Sequence, residues 1–484
     1  MKEDREDFQQ WIAVHEDEML RDLAELVTIP GISVPQDAGQ CVPGAPFGAS
    51  CRKALELYLS MAQRDGMSFR DLSGYCGEVS VGPTAPAAVL GIWNHLDVVP
   101  AGEGWETPPF RLTQKGKWLL GRGVQDNKGP LTAVYYVLRY LHEKDLLRNI
   151  KVRQLAGCDE ERGMEDVSWF RAHEPMPDLS FVADCSFPVC CGEKGKLSLV
   201  LKSRYKMTGL KALQAGETPN SIPAYAEAIL PSGEKIEGKG ISGHAAFPAG
   251  TVNAVFALTG RLLEMDTAVK KQSCVTKRQD NGNMTDENTN VPGVRFSEKE
   301  RAMLVFLHRL SADGYGEGAG LGMQDEPSGR LTCNLGQLRL QNQFLRCSLD
   351  IRYPVTADRQ QVLERLRKAE GMELFEIVCE RNTEPYYREP SSPFVRILQT
   401  AYQKETGLDR QPYVMGGGTY AAKLSCAVGF GTGFDRDFSE LGLRPGDGNC
   451  HAANEAERVD NLEKAMMIYL EAILAVDAWK GERT

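Results

Sequence analysis

The chain has 484 residues, 42% apolar and 25% charged, and 56 basic against 66 acidic residues leave a net charge of −10. That length allows several domains and a large core, and the acidic balance argues against nucleic acid or an anionic membrane as the main partner. The opening stretch, MKEDREDFQQWIAVHEDEML, has no apolar signal core, and no segment approaches about 18 uninterrupted apolar residues, so a cytoplasmic chain without a membrane span is expected. Thirteen cysteines at irregular spacing, with no C-x-x-C pair, fit reduced thiols better than a disulfide framework. Cys158, Cys185, Cys190, Cys191 and Cys450 fall near motifs, and small buried hydrophobes are the expectation for each.

In chain order, residues 8–28 carry apolar positions at helical spacing, and a second helix follows GAPFGAS with Leu55, Leu57, Leu59 and Met61 in its apolar set. The run 87–93 is short and apolar throughout, as in a strand buried on both faces. It leads into VLGIWNHLDVVP, where His95 and Asp97 stand two apart. Such residues share one side of a strand, so one can grip a ligand while the other steers it. The plain alternative is a strand end turning polar as it reaches solvent. Gly129-Pro130 opens a helix with Leu131, Val134, Tyr135, Leu138 and Leu141 on one face. Strand, loop, helix, strand is the rhythm of an α/β sheet, with function at the strand ends.

The pattern changes near Glu193. KLSLVLKSRYKM alternates apolar and polar, and so does LRCSLDIRY, with Leu345, Cys347, Leu349 and Ile351 on one face and Arg346, Asp350 and Arg352 on a wet one. Helical patterns lie at 251–265 and 357–369, and the polar residues 270–295 read as a long exposed loop. After Pro385 the α/β character returns and ends in a helix striped by Leu462, Met466, Tyr469 and Ile473. The expected architecture is a split α/β domain of residues 1–192 and 385–484, a mixed sheet flanked by helices, with an α+β domain of residues 193–384 inserted.

Four more stretches join His95 at strand ends or loops. GRGVQDNKGP carries Asp126, GCDEERG carries Glu160 and Glu161, FVADCSFP carries Asp184, and GDGNCHAANE carries His451. Histidines with carboxylates and no required cysteine suit Zn²⁺, Mn²⁺ or Co²⁺ better than Ca²⁺ or Mg²⁺. A carboxylate can bridge two such ions, which an imidazole cannot. Adjacent Glu160 and Glu161 repel unless cations are near, and if one ligates, the other is free to take a proton.

Together with SGHAAFPAGTVNA, LDIRYPV and GGGTYAAK, these stretches resemble the co-catalytic metallopeptidases of clan MH, of the aminoacylase, carnosinase and glutamate carboxypeptidase type, closest to the bacterial dipeptidase V-like branch. The resemblance covers nearly the whole chain, and its motifs fall in family order. It implies that His95 and Asp184 end one metal site, that Glu161 and His451 end the other, and that Asp126 bridges them. Asp97 would hold His95 in its ligating tautomer, and Glu160 would be the general base. The family often has Asp where this chain has Asn127, a position that is not a ligand. The inserted domain resembles a lid: His244 would steady the tetrahedral intermediate, Asn220 would face the substrate, and Arg352 would receive its carboxylate. The loop of Gly416, Gly417, Gly418 and Thr419 would offer backbone N–H groups to a carboxylate or oxyanion.

The activity so implied is hydrolysis of dipeptides with two Zn²⁺, or Mn²⁺ or Co²⁺ in their place, Glu160 activating the water. The alternatives are an N-acyl amino acid amidohydrolase with the same chemistry and, in another class, a non-catalytic binding protein on this fold. The only partner expected is a small dipeptide substrate, and the length of 193–384 favours a monomer.

Overall fold

A computed structural model describes residues 2–35, 39, 41–278, 296–424 and 426–481. The chain divides into two compact units, one of Met1–Gly192, Arg388–Tyr413 and Gly418–Thr484, the other of Glu193–Tyr387 and Val414–Gly417. The fold is α/β.

In the first unit the strands lie in the order Ser68–Leu72, Cys76–Val81, Ile150–Gly157, Ala88–His95, Leu179–Val182, Ala427–Phe430 and Val189–Glu193. The four strands Ile150–Gly157, Ala88–His95, Leu179–Val182 and Ala427–Phe430 run parallel, and the flanking pairs are antiparallel. Ala88–His95 is buried at every residue but Val89, which is what a strand covered on both faces requires. Helices Ala49–Arg64, Lys128–Glu143 and Val459–Gly481 pack about this sheet and one another.

The helix Lys128–Glu143 departs from the one-faced helix that its sequence implies. Thr132, Ala133, Tyr136, Val137 and Tyr140 are buried as well as the expected apolar stripe. Tyrosine makes this tolerable, because a hydroxyl that finds an acceptor can be buried at little cost. The Tyr135 hydroxyl donates to Asp65 at 2.6 Å, that of Tyr136 to Asp22 at 2.8 Å and that of Tyr140 to Asp7 at 2.9 Å.

The second unit is α+β. Its sheet runs Lys235–Lys239, Tyr225–Ile229, Ala212–Ala215, Thr332–Gln341, Phe344–Tyr353, Gly195–Lys206 and Phe375–Thr383, antiparallel throughout. Helices Ala254–Arg278 and Glu298–Leu310 share its apolar core, the latter started by a capping box between Ser297 and Glu300. Two expectations need correction here. Residues 270–278 continue the helix Ala254–Arg278, while 279–295 lie outside the described residues. The polar face of LRCSLDIRY is wet only at Arg346: Ser348, Asp350 and Arg352 are buried, because they satisfy one another and nearby groups. Among the described residues no helix is long and apolar enough to cross a membrane.

Candidate metal centre

Three adjacent parallel strands end side by side. His95 closes one, in register with Gly157 on its neighbour, and the Leu96 N–H reaches the Gly157 carbonyl at 2.8 Å. Glu160 and Glu161 come three and four residues after Gly157. On the other side Ala183 N–H bonds Trp93 O at 3.0 Å, which brings Asp184 beside His95. Carboxyl ends of parallel strands are where open α/β sheets build sites. Asp126 enters from the turn before the helix Lys128–Glu143, and His451 from the loop before Val459–Gly481.

These side chains meet. His95 Nε2 lies 2.9 Å from Asp126 Oδ1 and 3.5 Å from Asp184 Oδ2. His451 Nε2 lies 3.0 Å from Asp126 Oδ2 and 3.1 Å from Glu161. The two oxygens of Asp126 thus face two different histidines. Ligand atoms of His95, Glu160 and Asp184 fall within 4.8 Å of one another, and so do those of His95, Asp126 and Glu161.

Two neighbours shape this cluster in ways the sequence does not announce. The expectation for Asp97 named its carboxylate as the group that orients His95. The nearer atom is the Asp97 backbone carbonyl, 2.9 Å from His95 Nδ1, with Oδ1 at 3.5 Å. The carboxylate instead accepts the N–H groups of Glu160 at 3.2 Å and Glu161 at 3.1 Å, so it fixes the turn that carries them. Asn127 donates to Asp184 Oδ1 and to the Ala183 carbonyl, each at 2.8 Å, and accepts from Asn94 at 2.7 Å. An amide can donate to Asp184 where an ionised carboxylate cannot.

The charges are strained without a counter-ion. Burial pushes Glu160 well above the usual carboxylate range, and burial with Asp126 nearby pushes Glu161 up to about 7. Asp184 is raised by the same two causes. Asp126 is held low: burial opposes ionisation, but hydrogen bonds from His451 and His95 outweigh it. His451 is pushed up to about 11 by its hydrogen bonds to Asp126 and Glu161. Among the described residues, Glu160 Oε1 is buried without a hydrogen-bond partner. Oxygen and imidazole donors that crowd together, repel and leave a buried oxygen unpaired fit divalent cations.

The remaining expected residues are placed as follows. His244 and Asn220 adjoin through the two-residue strands Ser221–Ile222 and Gly243–His244, and Ala245 N–H bonds Asn220 O at 2.9 Å. The Ala246 N–H approaches His244 Nδ1 at 3.2 Å, which leaves Nε2 as the protonated nitrogen of the neutral ring. Arg352 is 4% exposed and already engaged: Asp350 takes Nε at 2.5 Å and Nη2 at 3.0 Å, and Gly416 O takes Nη1 at 2.8 Å. Gly416 also lies against Ala246, where an added Cβ would sit 3.1 Å from the alanine's own. Asn220, His244, Arg352 and Gly417 belong to the second unit, whereas Gly418, Thr419 and the whole metal-type cluster belong to the first. Thr419 caps the turn Tyr420–Lys423. Cys158, Cys190 and Cys191 are buried as expected, but Cys185, in the short strand Cys185–Ser186 just after Asp184, is partly exposed and Cys450, just before His451, is exposed.

Residues 91–475 match the peptidase family M20/M25/M40. A protein of Bacillus subtilis (strain 168) named "Putative dipeptidase YtjP" is 28% identical over 476 residues, covering 94% of this chain and 96% of that protein. In fold the chain is similar to aminoacylhistidine dipeptidase from Vibrio alginolyticus, with a TM-score of 0.59 at 15% identity over 95% of this chain and 96% of that one. It is likewise similar to human carnosine dipeptidase 1, with a TM-score of 0.55 at 16% identity over 98% of this chain and 99% of that one. The family match begins before His95 and ends beyond His451, so it takes in the whole histidine–carboxylate cluster, and the chain belongs to peptidase family M20/M25/M40.

Proposed function

We propose that this chain is a two-metal dipeptidase whose ions are held by His95 and Asp184, by Glu161 and His451, and by Asp126 between them. The observation that carries the reading is the Asp126 carboxylate, with one oxygen 2.9 Å from His95 and the other 3.0 Å from His451. That is how a carboxylate shared by two ions must stand. When bound, two Zn²⁺, Mn²⁺ or Co²⁺ ions would polarise the scissile carbonyl and make water acidic at neutral pH.

The protein's own part is proton transfer and orientation. Glu160 takes a proton from the attacking water and passes it to the leaving amine, a task for a carboxyl that burial has pushed well above the ordinary carboxylate range. Its unpartnered Oε1 suits an atom that must be open to a transient proton. Asp97 keeps Glu160 and Glu161 in place through their N–H groups. The name of the Bacillus subtilis relative supports dipeptides as the substrate class.

The test is metal-reconstituted protein assayed against dipeptides, tripeptides and N-acetyl amino acids. Turnover confined to dipeptides is the expected result. Turnover of N-acetyl amino acids alone makes the protein an amidohydrolase of acylated amino acids. Metal binding without turnover of any of the three makes it a binding protein.

A further inference from the structure

His451 presents a problem of its own. Its side chain is 52% exposed, its φ is +63°, and residues 447–455 around it form neither helix nor strand. A ligand on such a loop needs something to hold it. Two side chains that have no part in the reading above supply this, one from each of the loops that meet at the cluster.

Glu455 lies four residues after His451 and has no exposed surface. Its Oε1 accepts the N–H groups of Gly123 at 3.1 Å, Gln125 at 2.9 Å and Asp126 at 3.1 Å, while Oε2 takes Arg122 at 2.6 Å. One carboxylate from the histidine loop thus grips the turn that presents Asp126. Gln125 returns the grip. Its Oε1 accepts the N–H of Cys450, the residue before His451, at 2.9 Å, and its Nε2 donates to Gly448 O at 3.2 Å and Ala456 O at 2.8 Å. Each loop therefore places a side chain on the backbone of the other.

We propose that Gln125 and Glu455 form a reciprocal clasp that sets the spacing of Asp126 and His451, and so preorganises the second cation position. This rests on the two-metal reading. Both are positioning residues, since neither points a donor atom at the cluster. The first cation position stands on strand ends and on Asn127, so it depends less on the clasp.

The experiment is calorimetric titration of metal-free protein with Co²⁺, followed by the visible absorption of the bound ion. The wild type is expected to take two equivalents. Gln125→Met keeps the length of the side chain without its polar atoms. It should bind the first equivalent as the wild type does and the second about 10–100-fold more weakly, the range typical of lost outer contacts to a ligand. Glu455→Gln should also weaken the second, because its amide must turn a donor toward either Arg122 or the backbone N–H groups. It keeps the question open to measurement if Gln125→Met does not fold. Asp477→Asn is the control, since Asp477 holds the N–H groups of Asn149 at 2.8 Å and Ile150 at 2.9 Å away from the cluster. It should lower the unfolding temperature without changing either metal affinity or the Co²⁺ spectrum. Two equivalents of unchanged affinity in both clasp variants overturn the clasp and leave the two-metal reading standing. Weakening in the clasp variants matched by Asp477→Asn also overturns it, by assigning the pair to general stability. A wild type that takes fewer than two equivalents overturns the two-metal reading, and the clasp's purpose with it.

Discussion

His95 closes a strand buried on both faces and has no exposed surface, whereas His244 stands exposed on a two-residue strand of the other unit. His95 is surrounded by carboxylates. His244 has a backbone N–H against one ring nitrogen and the Phe247 ring 6.0 Å away. Burial among carboxylates prepares a group for a cation that stays. Exposure, with one nitrogen tied to the local backbone, prepares a ring for something that comes and goes. Substitutions at the proposed ligands of the first unit should therefore register in metal content, and substitution of His244 in the second in turnover with the metal content unmoved.

Glu160 tests the comparison hardest, because it sits within the first unit's cluster and is assigned a proton and no ion. Glu160→Gln should keep two equivalents of metal and lose about 10²–10⁴-fold in kcat, the usual cost of a lost general base. Metal analysis beside steady-state kinetics decides it. A variant short of metal would make Glu160 a ligand, which its closeness to His95 and Asp184 permits on distance alone.

His244→Ala carries the next effect. Loss of one group that stabilises charge in the transition state costs about 10²–10³-fold in kcat. KM should move less than kcat, and the metal content should not move at all. An unchanged kcat would reduce His244 to a loop residue, and a lost metal would break the division between the units.

The same division governs how much could be read from sequence. His95, Asp184, Glu160 and Glu161 follow runs whose apolar pattern announces buried strands, so strand-end logic locates them. Asp126 and His451 come from loops, where residue type and position gather them with the rest but only the resemblance assigns each its part. The roles of Gln125, Glu455 and Asn127 were invisible, because each acts through the backbone or through a ligand that another loop supplies. In the second unit, alternation marked the strand Phe344–Tyr353 correctly but mistook its second face for a wet one. An alternating pattern records polarity, and Asp350 and Arg352 stay polar while buried by neutralising each other.

That burial sharpens the test of Arg352. Replacing it with Ala leaves Asp350, only 1% exposed, without its cation, which harms the fold whatever the substrate. Reading of the substrate carboxylate must therefore be taken from a difference. Arg352→Ala should lose roughly 10–150-fold in kcat/KM on a dipeptide, the worth of one charge-assisted contact. It should lose much less on the matching dipeptide amide, which has no carboxylate to hold. Equal losses on both substrates would confine Arg352 to supporting Asp350 and the Gly416 carbonyl.

The smallest effect belongs to a first-unit residue that touches no candidate ligand, and it is expected in stability alone. Asp166 is 1% exposed and accepts the N–H groups of Cys158 at 2.7 Å and Asp159 at 2.8 Å, with the Tyr420 hydroxyl on the same oxygen. It thereby holds the start of the turn that carries Glu160 and Glu161. Burial, with Asp97 nearby, raises its pKa from the ordinary 3.8 to about 7. Between those two values the folded chain binds a proton that the unfolded chain has released. Stability is then fully present below the lower value and declines as pH rises toward the upper one, above which this residue adds no further slope. Asp166→Asn cannot titrate, so its unfolding temperature should fall less steeply than that of the wild type between about pH 4 and pH 7. Metal content should be the same in both. Thermal unfolding across that range, at fixed metal loading, makes the comparison. Parallel slopes would mean that Asp166 stays ionised in the folded chain, held so by its N–H donors, and that burial counts for less at this turn than its lack of exposure implies.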